Sequence, residues 1–135
     1  MVSRAKEWFQ EACPEPSQRD IDVQIGCHFE EVYEMTVALG IDGSAIKQIA
    51  DDYKQGKKSI DMSKIDRVGV IDAIGDQIVT GTGVSHMMGM NIIGALAEIN
   101  RSNFTKFVDG KAIRNENGKI IAGPSYERPN LEEFV

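Results

Sequence analysis

Between Ile21 and Leu39 the apolar residues fall at Ile21, Ile25, Phe29, Val32 and Leu39, spacings of four, four, three and seven. That is one face of a 3.6-residue period, and it commits the stretch to an amphipathic helix packed against other elements. The same stretch, HFEEVYEM, carries Glu30, Glu31 and Glu34. Glu30 and Glu34 are four apart and Glu31 and Glu34 three apart, so all three carboxylates leave one side of the helix within about 5–6 Å of each other. Like charges so placed cost an isolated helix about 0.2–0.5 kcal/mol per pair, which marks either a solvated face or a place where a cation compensates.

The rest of the chain repeats the helical pattern. Residues 3–12 form a short amphipathic helix with Ser3 as its expected N-cap, stopped by Pro14 and Pro16, and Trp8 and Phe9 read as packing residues. The helix bearing the glutamates is expected to begin between Ser17 and Ile21 and to stop at Gly40. A third, capped by Asp42 or Ser44, puts Ile46, Ile49, Ala50 and Tyr53 on its apolar side and ends in a basic run from Lys54 to Lys58 that reads as a solvated helix end.

The longest pattern runs from about Ser63 to Met88, with Ile65, Val68, Ile71, Ile74, Ile78 and Val79 at helical spacing and Asp72 and Asp76 four apart on one face. Its Gly69, Gly75, Gly81 and Gly83 each cost about 1 kcal/mol relative to alanine, which implies close approach of another backbone or a ligand; GTG at 81–83 alternatively marks a break. A last helix over 91–105 turns Ile92, Ile93, Leu96, Ile99 and Phe104 inward. Beyond it the chain is polar and turn-rich, and Asn117-Gly118 predicts a small hairpin. The expected fold is all-α, a four- to five-helix bundle over residues 1–107, with an irregular C-terminal tail over 108–135 belonging to the same domain.

A net charge of −6 argues against a surface for a nucleic acid polymer, but it is compatible with a nucleotide bound through metal ions. No apolar run reaches the roughly 18–20 residues of a membrane helix, no secretory leader is expected, and Cys13 and Cys27 read as reduced thiols of a cytoplasmic protein. If the two acid-bearing helices pack antiparallel, Glu30, Glu31, Glu34, Asp72 and Asp76 converge as an all-oxygen donor set suited to Mg²⁺ or Mn²⁺. Zinc does not fit, since no cysteine or histidine pair has ligand spacing. A di-iron bundle does not fit either, because neither His28 nor His86 has a Glu three residues before it. His28 sits one turn before Glu31, as a partly buried histidine or a group that orients a carboxylate; His86 lies more than three turns beyond Asp76.

EEVYE at 30–34, followed about forty residues later by the acid pair of DAIGDQIV, resembles the all-α nucleoside triphosphate pyrophosphohydrolase superfamily, which includes the MazG-like proteins, the phosphoribosyl-ATP pyrophosphohydrolases and the dimeric dUTPases. The family pattern is EExxE on one helix and ExxD on the next, and the resemblance spans about residues 4–107. It implies Mg²⁺-dependent cleavage of a (d)NTP or related nucleotide to monophosphate and pyrophosphate. By it Glu31, Glu34 and Asp76 are metal ligands, and Glu30 binds metal or positions the water, with Glu30 or Glu31 as the catalytic glutamate that orients the water or takes its proton. The chain departs at Ala73, where the pattern has glutamate; Asp72, one residue earlier, is the available acid. Asn100, Asn103 and Lys106 in NRSNFTK fall three apart and offer amide donors and a cation; the resemblance puts them near the phosphates or base. It also fits assembly as a homodimer or homotetramer. The alternatives are a phosphoribosyl-ATP pyrophosphohydrolase and a non-enzymatic helical oligomerisation or regulatory module.

Overall fold

The computed structural model describes every residue from Met1 to Val135. Five helices follow in order, α1 (Val2–Ala12), α2 (Gln18–Ala38), α3 (Ser44–Lys54), α4 (Arg67–Met87) and α5 (Ile92–Phe104). A two-residue hairpin, β1 (Ile113–Arg114) and β2 (Ile120–Ile121), and a 3₁₀ turn at Glu132–Phe134 complete the chain. The fold is all-α apart from that hairpin, as the apolar periodicity predicts. Contacts group the chain into two compact units: Cys13–Ile60 with Ala112–Ile121, and Met1–Ala12 with Asp61–Lys111 and Ala122–Val135.

In the first of these units α2 starts on a capping box. The Ser17 hydroxyl accepts from the Asp20 N–H at 3.2 Å and the Asp20 carboxylate accepts from the Ser17 N–H at 2.9 Å. At its other end Gly40 takes the left-handed conformation (φ 72°) in which helices commonly stop. α3 begins one residue away from either expected cap. Gly43 is its N-cap, and Asp42 instead folds back to accept from the Ser44 N–H at 2.9 Å, a local turn that competes with capping.

α2 and α3 pack backbone to backbone at Gly26, where a Cβ would lie 2.7 Å from the Ala50 carbonyl oxygen and 2.8 Å from the Lys54 nitrogen. Ala50, facing it, is fully buried. The Arg19 guanidinium donates to the carbonyls of Tyr53 (2.8 Å) and Lys54, closing the C-terminal end of α3. Buried Asp22 then fixes the chain leaving α3, accepting from the Ile60 N–H at 2.9 Å and the Ser59 hydroxyl at 2.7 Å. Burial alone would raise its pKa, but the hydrogen bonds from Ile60, Ser59 and Gln18 outweigh burial and hold it below the usual carboxylate value.

The hairpin forms where Asn117-Gly118 predicts one. Ile113 pairs with Ile121 and Arg114 with Ile120, antiparallel. Gly118 supplies the positive φ (83°) and the Asn115 carboxamide oxygen accepts from the Asn117 and Lys119 N–H groups at 3.0 Å. Arg114 donates to Asp20 at 2.5 Å and to the Gly118 carbonyl at 2.8 Å, which ties the hairpin to the first turn of α2.

The other unit is built round an aromatic cluster. Trp8 of α1 stacks on Phe107 (centroids 5.6 Å, planes 11° apart) and its indole N–H donates to the Asn103 carbonyl at 2.8 Å. Phe9 meets Trp8 edge-on, and the Arg4 guanidinium lies 3.8 Å over the Phe104 ring. Trp8 thus packs as expected, whereas Phe9 stays largely exposed. The last residues run back along α5. Ser102 donates to the Glu127 carbonyl at 2.7 Å, and the Phe134 carbonyl accepts from the Asn91 N–H at 2.8 Å. Paired hydrogen bonds from Arg101, with another from the Asn130 N–H, pull the Glu98 carboxyl down to about 2.

α4 starts at Arg67, about a turn later than its periodicity implies, because the Asp66 carboxylate caps the Gly69 N–H at 3.0 Å. It runs unbroken through Gly81-Thr82-Gly83 to Met87, with Thr80 and Thr82 hydroxyls returning to the Asp76 and Ile78 carbonyls at 2.8 Å. Its apolar residues do not form a core. Val68, Ile71, Ile74, Ile78 and Val79 are all exposed, and Ser85 is the one residue of the helix that is buried. Leu39, Ile49 and Ile93, which periodicity turns inward, are exposed as well.

Candidate functional site

The acids of α2 do not sit in one environment. Glu30 is half-buried and is held by two lysines from different elements. The ammonium of Lys54, in the last turn of α3, lies 2.5 Å from one carboxylate oxygen, and that of Lys119, at the foot of the hairpin, lies 2.7 Å from the other. Helix α3 delivers Lys54 because Gly26 lets the two helices close up, and the Asn115 turn delivers Lys119. Glu31 and Glu34 project from the exposed side of the same turns.

This arrangement sets the charges. Burial would raise the Glu30 pKa, but the hydrogen bonds and charges of Lys119 and Lys54 more than offset it, and the carboxyl titrates below its ordinary value. Burial works against the Lys119 ammonium too, and is outweighed by the hydrogen bond and charge of Glu30, helped by Cys27 and Glu31, so its pKa is raised. Burial raises the thiol pKa of neighbouring Cys27, which leaves it a poor nucleophile. Cys13 and Cys27 are both unbridged.

The sign of the linkage follows. A depressed Glu30 stabilises the fold fully above its unfolded pKa, near 4.5, and that contribution disappears as pH falls through the lower folded value. A raised Lys119 contributes below its unfolded 10.5 and is lost as pH climbs past its folded value. Thermal melts of Lys119→Met are therefore expected to show a smaller loss of stability than wild type between pH 5 and 3, because Glu30 has one cation fewer to lose; an unchanged acid limb would remove Lys119 from the pair.

Asp72 and Asp76 belong to the other unit, where both are exposed on α4. Within neither unit do three or more His, Cys, Asp or Glu side chains gather into a metal-ligand group. Among the residues of NRSNFTK, Asn100 is buried and its side-chain amide donates to the Met1 carbonyl at 3.3 Å. Asn103 supplies its backbone carbonyl to Trp8, and the Lys106 ammonium rests over aromatic faces, 5.6 Å from the Tyr126 ring centre and 6.0 Å from that of Trp8.

The sequence reading leaves out Lys54 and Lys119 as partners of Glu30. Lys54 opens a basic run that reads as a solvated helix end, and Lys119 is eighty-nine residues from the glutamate it meets. Gly26, on a helix otherwise rich in side chains, was the available signal that α3 would come close enough to bring Lys54 in.

Glu31 and Glu34 are exposed a turn apart on α2, and carboxylate oxygens are the ligand type that hard divalent cations take. No helix of the chain is long and apolar enough to cross a membrane. No protein-family model, curated protein or solved structure matches the chain.

Proposed function

We propose that the protein is a Mg²⁺-dependent nucleotide pyrophosphohydrolase that cleaves a (d)NTP or related nucleotide to monophosphate and pyrophosphate. The observation that carries this reading is the division of labour on one turn of α2: two exposed carboxylates beside a third that two lysines already neutralise. Glu31 and Glu34 supply oxygen ligands; Asp72 and Asp76, which the EExxE and ExxD pattern adds to the set, stand on α4 of the other unit. Mg²⁺ held by Glu31 and Glu34, or Mn²⁺ in its place, would supply positive charge against the phosphates and a more acidic water. Glu30 or Glu31 takes the proton of the attacking water, and the lysines that depress Glu30 also weaken it as a proton acceptor. Glu30 then serves to hold Lys54 and Lys119 at the edge of the anionic substrate. The resemblance behind this reading would assign nucleotide contacts to Asn100, Asn103 and Lys106, of which the Asn100 side chain is buried against the Met1 carbonyl. A cytoplasmic location, with Cys13 and Cys27 reduced, and self-association as a homodimer or homotetramer belong to the same reading. Phosphoribosyl-ATP is a second substrate within the same chemistry.

A divalent-ion thermal shift tests the metal site. Saturating Mg²⁺ is expected to raise the melting temperature of wild type, by an amount equivalent to about 2.7 kcal/mol at a hundredfold excess over its dissociation constant, and to leave Glu34→Gln much less shifted. Equal responses, or none, would contradict the site. The exposed apolar residues of α4 favour a second reading, a non-enzymatic helical oligomerisation module, which predicts no metal response at all.

A further inference from the structure

We propose that α4 is an interface helix, with the seam Val68, Ile71, Gly75, Ile78 and Thr82 packed antiparallel against the same seam of a second copy of this chain. This names the face used in the self-association proposed above, and it is independent of whether the protein hydrolyses nucleotides.

Three features of the seam point to a second copy. First, its spacing is three, four, three, four, the 3.5-residue repeat by which helices pair along one line, and it carries no charge. Val68 is 77% exposed, Ile71 66% and flanking Val79 69%, so apolar side chains that would ordinarily be covered stand in the open. Second, the seam reads nearly alike in both directions: Gly75 is its centre, Ile71 and Ile78 flank it, and Val68 and the equally shaped Thr82 close it. A two-fold axis at Gly75 sets Val68 against Thr82 and Ile71 against the Ile78–Val79 step, the self-complementarity that an isologous pair requires. A Cβ built at Gly75 meets nothing within 4 Å, so nothing in the chain itself accounts for a glycine in the middle of this helix; a facing backbone would.

Third, the area is sufficient. A helix of 21 residues is about 31 Å long and about 10 Å across, so covering half its sides removes about 500 Å² per copy and about 1,000 Å² in the pair, the threshold for a specific interface. Exposed Met87, Met88 and Ile93 extend the apolar surface beyond the seam. At 100° per residue, Asp76 lies about 120° round from the seam centre, outside the covered half, and Asp72 lies about 80° round, at its rim, where the two-fold register sets it opposite residue 78 of the second copy and not opposite its own carboxylate.

Light scattering and sedimentation on the full chain test this. Wild type is expected at twice its 14.9 kDa, or a higher even multiple, at micromolar concentration. Ile71→Glu and Val79→Lys, each checked for wild-type helix content by circular dichroism, are expected to weaken association about a hundredfold, because each buries an unpaired charge against apolar side chains of the second copy. Asp76→Asn is expected to leave the mass unchanged. Independently of any variant, amide exchange in α4 of wild type is expected to slow as concentration rises. A 14.9 kDa wild-type species at micromolar concentration, variants that associate like wild type, or α4 exchange that does not depend on concentration would each overturn the proposal.

Discussion

Glu34→Gln is expected to slow release of pyrophosphate from a nucleoside triphosphate by about 10²–10³-fold at fixed Mg²⁺, and Glu31→Gln at least as much. Both side chains stand on the exposed side of α2, and glutamine keeps their shape, so the helix and its packing on α3 are undisturbed. Only the charge is lost. The two variants separate when Mg²⁺ is titrated. Glu34→Gln has a weakened ion site, and raising Mg²⁺ recovers part of its rate. Glu31→Gln also lacks the proton acceptor, and more metal does not restore it. Rates equal to wild type in both would remove α2 from the chemistry.

Trp8→Ala is expected to cost about 3–5 kcal/mol in unfolding free energy, a large part of the roughly 5–15 kcal/mol of a typical domain. Three losses add at this position. The stacked contact with Phe107 goes, the edge contact with Phe9 goes, and the Asn103 carbonyl loses the indole N–H it accepts at 2.8 Å. Trp8→Phe keeps an aromatic ring and is expected to cost distinctly less, mostly for the orphaned carbonyl. Urea unfolding followed by far-ultraviolet circular dichroism measures both; the chain has a single tryptophan, so its fluorescence cannot report on these variants. A loss below about 1 kcal/mol for Trp8→Ala would mean that the cluster does not hold α1 to α5.

Much of this architecture is legible one residue at a time. The stripe Ile21, Ile25, Phe29 and Val32 fixes α2, Ser17 and Asp20 fix its start, and Asn117-Gly118 fixes the hairpin, because each is a local rule with a local partner. Helix starts slipped where two polar side chains competed: Asp66 won the cap of α4, and Asp42 folded on Ser44 and left Gly43 to cap α3. Burial was less legible. The same periodicity that places Ala50 inside describes Val68, Ile71 and Val79, which are exposed, because the pattern reports that a face is to be covered and not by which molecule. At the site, the acids of α2 are written in EEVYE, whereas the cations on Glu30 arrive through tertiary contacts that no local spacing encodes. The Asn100 side chain, read as a substrate donor, is engaged with the Met1 carbonyl, a partner at the far end of the chain.

The most direct measurement is the product analysis of wild type with a panel of NTPs and dNTPs in Mg²⁺ or Mn²⁺, scoring pyrophosphate and nucleoside monophosphate together. The proposed chemistry predicts the two products in equal amounts from at least one nucleotide, abolished by chelation. Orthophosphate and diphosphate in their place, or no product from any of the panel or from phosphoribosyl-ATP, would contradict it.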